Sequence, residues 1–191
     1  MKKIIFDCDN TMGVENCDVD DGLALLYLLG CPDAEVIGIT ATYGNNELGV
    51  VYENTLQMLK EIGREEIPVM KGGAYAGCYK NEASSYLVKK VNEHPGEITI
   101  LATGSLTNLQ GAYEEDSCFF DKVKEIVLMG GIGKSSLVRH FLSAEQENFD
   151  TLLYLYYKNS IQDLITDDTN LQVNTLEQGQ KKQGRIIFSE S

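Results

Sequence analysis

The 191-residue chain is predicted to fold as an open, mostly parallel, doubly wound (Rossmann-like) α/β sheet. Two observations carry this. Short apolar segments alternate with segments of helical spacing, the pattern of strand-helix units joined by right-handed crossovers. Four of the five strand ends then run into small or polar residues, on the sheet edge where ligands bind in such folds.

Residues 3–6 read as a buried strand, and residues 23–29 (Leu23-Ala24-Leu25-Leu26-Tyr27-Leu28-Leu29) as a buried helix introduced by Asp20 and Asp21. Residues 35–42 make a second strand ending in Tyr43-Gly44-Asn45-Asn46, followed by a helix over 47–62 with Leu48, Val51, Leu56 and Leu59 at helical spacing. A short third strand covers 67–70, a Gly- and Tyr-rich loop 71–82, a helix 84–92, and a fourth strand 97–102, which ends in Thr103-Gly104-Ser105. A helix from Asn108 to about Glu115 leads to the fifth strand, 125–129, which ends in Gly130-Gly131. From Lys134 the pattern changes: 149–157 is apolar, aromatic and helix-like, 162–183 is polar and Gln/Asn-rich, and 184–188 is strand-like. Residues 1–133 are therefore expected to form the α/β core, and 134–191 a divergent or truncated segment that is not an independent domain.

A net charge of −13 argues against holding nucleic acid or an anionic membrane by long-range electrostatics, so a small neutral or cation-bridged ligand fits better. The five cysteines (Cys8, Cys17, Cys31, Cys78, Cys118) are scattered without a C-x-x-C pair, which points to neither a disulfide framework nor a zinc site. The apolar run Ile4-Ile5-Phe6 is too short for a secretory leader, and no window approaches a membrane span. A cytoplasmic protein is expected.

The chemistry is concentrated at the end of the first strand, where Asp7, Asp9, Asp20 and Asp21 crowd together. Carboxylates are seldom buried together unpaired, and a cation relieves the repulsion. Oxygen donors without a partnering His or Cys favour calcium or magnesium over zinc. Helix capping accounts for one or two of the four, but not for Asp7 and Asp9, which alternate at a strand end. Any one of the Gly- and Asn-bearing strand ends would be ordinary turn chemistry; four on one edge beside the Asp cluster read as a site.

These residues resemble the nucleoside hydrolase family, the inosine-uridine preferring N-ribohydrolases. Its signature pairs an Asp-x-Asp strand end with an Asp-Asp helix start, matched here by Asp7-Cys8-Asp9 and Asp20-Asp21, with residues 10–19 as an insertion relative to the common form. Ile39-Thr40-Ala41-Thr42-Tyr43-Gly44-Asn45 resembles the second strand with its Gly-Asn end. Leu101-Ala102-Thr103-Gly104-Ser105-Leu106-Thr107-Asn108 resembles the Thr-Gly-Pro-Leu-Thr-Asn box, with Ser105 in place of Pro, and Val127-Leu128-Met129-Gly130-Gly131 the Met-Gly-Gly box. The boxes cover about residues 2–133.

The resemblance implies hydrolysis of the N-glycosidic bond of ribonucleosides to ribose and free base, with Ca2+ as cofactor. Asp9 would ligate calcium and act as general base on the metal-bound water, Asp21 would ligate it bidentately, and the Thr103 carbonyl would be a further ligand. Asp20 would hold the ribose hydroxyls, Asn45 would contact ribose or the attacking water, Met129 would pack against the sugar, and Asp7 would support the cluster. Ribose hydroxyls can replace water on a large calcium shell, and carboxylates favour the oxocarbenium-like charge of a breaking glycosidic bond. The resemblance leaves base preference open and is compatible with a homo-oligomer.

The family's later His-Asp pair, in which Asp completes the metal shell and His assists the leaving base, has no clear counterpart. Only His94 and His140 occur, and neither precedes Asp. His94, before Pro95-Gly96, reads as a surface turn residue; His140, Glu145, Glu147 and Asp167-Asp168 are the remaining candidates for those roles. The 191-residue chain is therefore expected to hydrolyse nucleosides slowly, or to bind them without turnover, and its sheet to lack the family's last strands and expose an apolar edge. Two rivals stand beside this reading. A haloacid-dehalogenase-like magnesium phosphatase would use Asp7 as nucleophile, Asp9 as acid/base and Asp167-Asp168 as the late acidic pair. A nucleotide-binding switch would use residues 130–138, which resemble a P-loop but have Leu128 where its first Gly is required.

Overall fold

The computed structural model describes residues 1–129 and the strand Leu152–Leu155. The chain alternates as expected: β1 (Lys2–Cys8), α1 (Asp20–Gly30), β2 (Ala34–Ala41), α2 (Leu48–Glu61), β3 (Val69–Lys71), α3 (Glu82–Glu93), β4 (Ile98–Ala102), α4 (Thr107–Glu115), α5 (Phe119–Lys122), β5 (Glu125–Met129) and β6 (Leu152–Leu155). The strands form one sheet in the order β3-β2-β1-β4-β5-β6, and every pairing is parallel. The order runs outward one way from β1 through β2 to β3, and the other way from β4. Between β1 and β4 lies the point where a parallel sheet opens a crevice at its carboxyl edge.

Alternation along each strand divides the core. Ile5, Ile98, Ile100, Ile126 and Leu128 pack against Leu87 and Val91 of α3, Leu109 and Ala112 of α4, and Phe119 and Phe120 of α5. Phe6, Cys8, Ile39 and Val69 face the other way, against Leu25 of α1 and Val51, Met58 and Leu59 of α2. The ends of the elements are set locally. At the start of α3 the Asn81 side chain accepts the Ser84 N–H at 2.9 Å while the Ser84 hydroxyl accepts the Asn81 N–H, a reciprocal cap.

Three expectations are corrected. The apolar run of α1 is not buried all round: Leu25 is, but Leu23, Leu26 and Tyr27 are 54%, 37% and 74% exposed, because a helix lying on a sheet can turn only one stripe inward. In α2 the inward stripe is Val51, Thr55, Met58 and Leu59, so Leu56 falls outside it; Thr55 is tolerated there because its hydroxyl donates to the Val51 carbonyl at 2.8 Å. The apolar run at 149–157, read as helix-like, supplies strand β6 instead, which pairs with β5 and is the outermost described strand on that side of the sheet. Short apolar runs cannot be assigned to helix or strand by periodicity. Residues 162–183 and 184–188 lie outside the described residues.

Candidate active site

The crevice is floored by Asp7. In β1 it lies in register with Thr40 of β2 and Ala102 of β4, and it is fully buried. Its Oδ1 accepts the Thr40 hydroxyl at 2.5 Å and the Asn108 side-chain amide at 2.7 Å; Oδ2 has no partner among the described residues. Burial pushes the carboxyl up to about 7, against the pull of those two hydrogen bonds and with a small contribution from the charge of Asp9. Asn108, at the start of α4, is itself held: its amide also donates to the Ala41 carbonyl at 3.2 Å, and its Oδ1 accepts the Gly73 N–H at 2.8 Å.

Just past β1, Asp9 meets Asp21. The Asp9 N–H donates to Asp21 Oδ2 at 2.9 Å, and Asp9 Oδ2 accepts the Asn45 N–H at 2.6 Å. Asp21 is buried in the first turn of α1, while Asp20 is half-buried and accepts the Asp21 N–H at 2.9 Å. Burial raises both Asp9 and Asp21; for Asp21 the adjacent Asp9 carboxyl and the charge of Asp20 add to this, and a hydrogen bond from the Thr103 side chain opposes it. Thr103 follows β4, where its N–H donates to the Asp7 carbonyl at 2.8 Å. Met129, half-buried, ends β5 on the same edge.

Two buried carboxyls in contact, both raised by burial, with a hydroxyl and peptide groups around them and, among the described residues, no imidazole or thiolate joining them, form a donor set that suits a hard cation such as calcium. Among the described residues no group of three or more His, Cys, Asp or Glu side chains gathers as a metal cage. Among the described residues the side chains that could hold such a cation are Asp9 and Asp21, and further oxygens would come from backbone and ligand. Asp7 turns its bonded oxygen toward Thr40 and Asn108 instead, and Asp20 lies at the rim.

The proton held by Asp7 sets a pH dependence. Its folded-state value, about 7, lies above the ordinary 3.8, so the folded chain binds more protons than the unfolded one between these values. The stability this confers is complete below about pH 4 and is lost as pH rises through 7, at up to about 1.4 kcal/mol per pH unit; Asp9 and Asp21 act in the same direction. With a chelator present, the urea midpoint at pH 7.5 is expected to lie below that at pH 5, and an equal or higher midpoint would contradict the assignment.

Asn45 reaches Asp9 because residue 44 is glycine. A Cβ at Gly44 would fall on Asp9 Oδ2, so Gly44→Ala must displace the carboxylate. For a calcium ion held through Asp9, the variant is expected to bind about tenfold more weakly, the scale typical for disturbed supporting contacts, and titration calorimetry showing an unchanged affinity would refute this. The sequence reading missed Thr40 and Asn108 as partners of Asp7. A hydroxyl inside an otherwise apolar buried strand, and an Asn opening a helix inside a matched box, were the available signals. His94 closes α3, where it is half-buried with Nδ1 3.2 Å from the Lys3 ammonium, well apart from the Asp residues in the fold. His140, Glu145, Glu147, Asp167, Asp168 and the P-loop-like 130–138 lie outside the described residues.

Residues 4–148 match the family model for the inosine-uridine preferring nucleoside hydrolases. The chain belongs to that family. The match passes Gly133 and runs to residue 148, further than the four boxes indicated, and so takes in His140, Glu145 and Glu147. The chain is 31% identical over 159 residues to probable uridine nucleosidase 2 of Oryza sativa subsp. japonica, covering 68% of this chain and 45% of that protein. It is 32% identical over 158 residues to uridine nucleosidase 1 of Arabidopsis thaliana, with the same coverage, and 31% identical over 159 residues to the inosine-uridine preferring nucleoside hydrolase of Crithidia fasciculata, covering 68% and 48%. The chain thus spans about half the length of the curated relatives it matches. A solved plant nucleoside hydrolase superposes with a TM-score of 0.68 at 25% identity, over 95% of this chain and 74% of that one. Family membership removes the ground for the phosphatase and P-loop readings, since it accounts for the Asp-Asp helix start, the Gly-Asn turn and the Met-Gly-Gly box together. No helix among the described residues is long and apolar enough to cross a membrane.

Proposed function

We propose that the chain hydrolyses the N-glycosidic bond of ribonucleosides, using Asp9 as general base and calcium held by Asp9, Asp21 and the Thr103 carbonyl. The observation that carries this is the contact of Asp9 with Asp21 at the β1/β4 crevice, with the Asn45 N–H on the outer oxygen of Asp9. Bound calcium would anchor the ribose hydroxyls and ease deprotonation of a water. Asp9, fixed at both its amide and its carboxylate, takes the proton of the attacking water. Asp20 at the rim binds ribose hydroxyls, Asn45 contacts the sugar or the water, and Met129 lines its apolar face. Asp7 holds the cluster from below through Thr40 and Asn108. The carboxylates stabilise the positive charge that develops on the ribose ring as the base departs.

We assign this machinery to residues 1–133; of the divergent segment 134–191, β6 joins the same sheet beside β5. A small uncharged substrate accords with a chain of net charge −13, and the cytoplasm is the proposed compartment. The test is release of base from a panel of purine and pyrimidine nucleosides, uridine and inosine included, with calcium and with chelator. Calcium-dependent release is expected. Nucleoside binding without release would overturn the catalytic part, and neither binding nor release would overturn the whole.

A further inference from the structure

We infer that Asn54 of α2, outside the candidate site, is a positioning residue for the Asp9 and Asp21 pair, acting through the loop of residues 10–19; the inference rests on the calcium reading above. That loop is the direct chain connection between Asp9 and the Asp20-Asp21 helix start, so its shape sets how the two carboxyls meet. The Asn54 amide donates to two of its carbonyls, Asn10 at 3.3 Å and Met12 at 3.1 Å. Each clamped residue abuts one side of the pair. Asn10 follows Asp9 directly and is fully buried, with its Oδ1 accepting the Met12 N–H at 3.1 Å and its amide 3.4 Å from the Thr55 hydroxyl. Met12 packs on Gly22, the residue after Asp21, so closely that a Cβ there would collide with the Met12 side chain.

The far end of the loop is tied to the same centre. Thr11 donates to the Asp18 carbonyl at 2.9 Å, and the Asn46 amide lies 3.4 Å from Cys17 Sγ, next to the Asn45 whose N–H holds Asp9. The loop therefore touches the neighbours of Asp9, Asp21 and Asn45, and Asn54 fixes it to α2. Asn54 is half-buried on a helix where alanine is the better helix former, so its replacement should leave α2 itself intact. What it removes is the clamp on two carbonyls. Supporting contacts of this kind typically govern metal affinity by about 10–100-fold.

The test is calcium titration calorimetry on the 191-residue chain and three variants, with the thermal midpoint of each measured in chelator. Asn54→Ala and Asn54→Asp, which keeps the size but offers no donor, are expected to weaken calcium binding about tenfold or more. Gln57→Ala, an exposed change on the same helix, is expected to leave it unchanged. The metal-free midpoint of Asn54→Ala is expected to stay close to that of the unaltered chain. Unchanged calcium affinity in Asn54→Ala overturns the inference, and so does a loss of affinity matched by unfolding of the metal-free variant, which would make Asn54 merely structural. Failure of the unaltered chain to bind calcium would instead overturn the calcium reading itself.

Discussion

Calcium at about a hundred times its dissociation constant is expected to raise the thermal midpoint of this chain by about 5–10 °C, and Asp21→Ala is expected to abolish the rise. A ligand that binds only the folded state at that excess contributes about 2.7 kcal/mol, and about 1 kcal/mol moves the midpoint of a domain of this size by about 2–4 °C. The effect should be large because the metal-free site is unfavourable: two buried carboxyls touch, and burial raises both toward the protonated form, whose proton a cation would displace. Calcium binding should therefore release protons, and its affinity should fall as the pH is lowered. Asp21→Ala also strips the acceptor from the Asp9 N–H, so Asp21→Asn serves as the companion variant, retaining an oxygen there without the charge. Differential scanning calorimetry with calcium and with chelator reads both. A calcium-induced rise that survives in both variants would remove Asp21 from the metal site.

The parts of this arrangement that were legible in the sequence are those fixed by local pattern. Strand β5 is observed over the residues read for it, and β1, β2 and β4 differ by one to three residues at their ends, because apolar runs bounded by Gly, Asn and Asp leave little choice. Asp9, Asp21, Asn45 and Thr103 could be placed on one edge because parallel strands put all their carboxyl ends together. The partners of Asp7 were not legible. Asn108 lies 101 positions from it in sequence and Thr40 33, and only strand register brings them into contact. The distinction between Asp7 and Asp9 was hidden for the same reason: both carry the same carboxyl at a strand end, yet one is enclosed by β2 and α4 while the other clears the sheet and meets α1. Four acidic residues thus read as one cluster, whereas the fold makes a contacting pair, a buried support and a rim residue. The exposure of Leu23, Leu26 and Tyr27 escaped notice because an all-apolar helix has no polar face to reveal which stripe turns inward.

That distinction gives the sharpest test of the reaction. Asp9→Asn is expected to slow cleavage of a nitrophenyl riboside by about 10²–10⁴-fold, the usual contribution of a general base, while Asp7→Asn is expected to slow it less than about tenfold, the scale of a disturbed supporting contact. A nitrophenolate departs without a proton, so its release isolates activation of the water from any assistance to the leaving group. Asparagine at position 9 still offers an oxygen to the Asn45 N–H but cannot take a proton from water, and assays at calcium levels that saturate the variant separate this loss from weaker metal binding. Asparagine at position 7 can still accept from Thr40 and Asn108 with its oxygen, and its amide group occupies the place of the unpartnered Oδ2. Asn45→Ala belongs in the same series, because it keeps the N–H that holds Asp9 and reports only what the Asn45 side chain adds to sugar or water contact. A phosphatase built on the same strand would leave the riboside intact and release nitrophenol from nitrophenyl phosphate instead, with Asp7 forming the covalent bond. If Asp9→Asn kept more than a tenth of the rate while Asp7→Asn lost it, the fully buried carboxyl would have to move into the crevice to act, and the assignment of Asp9 as base would fail.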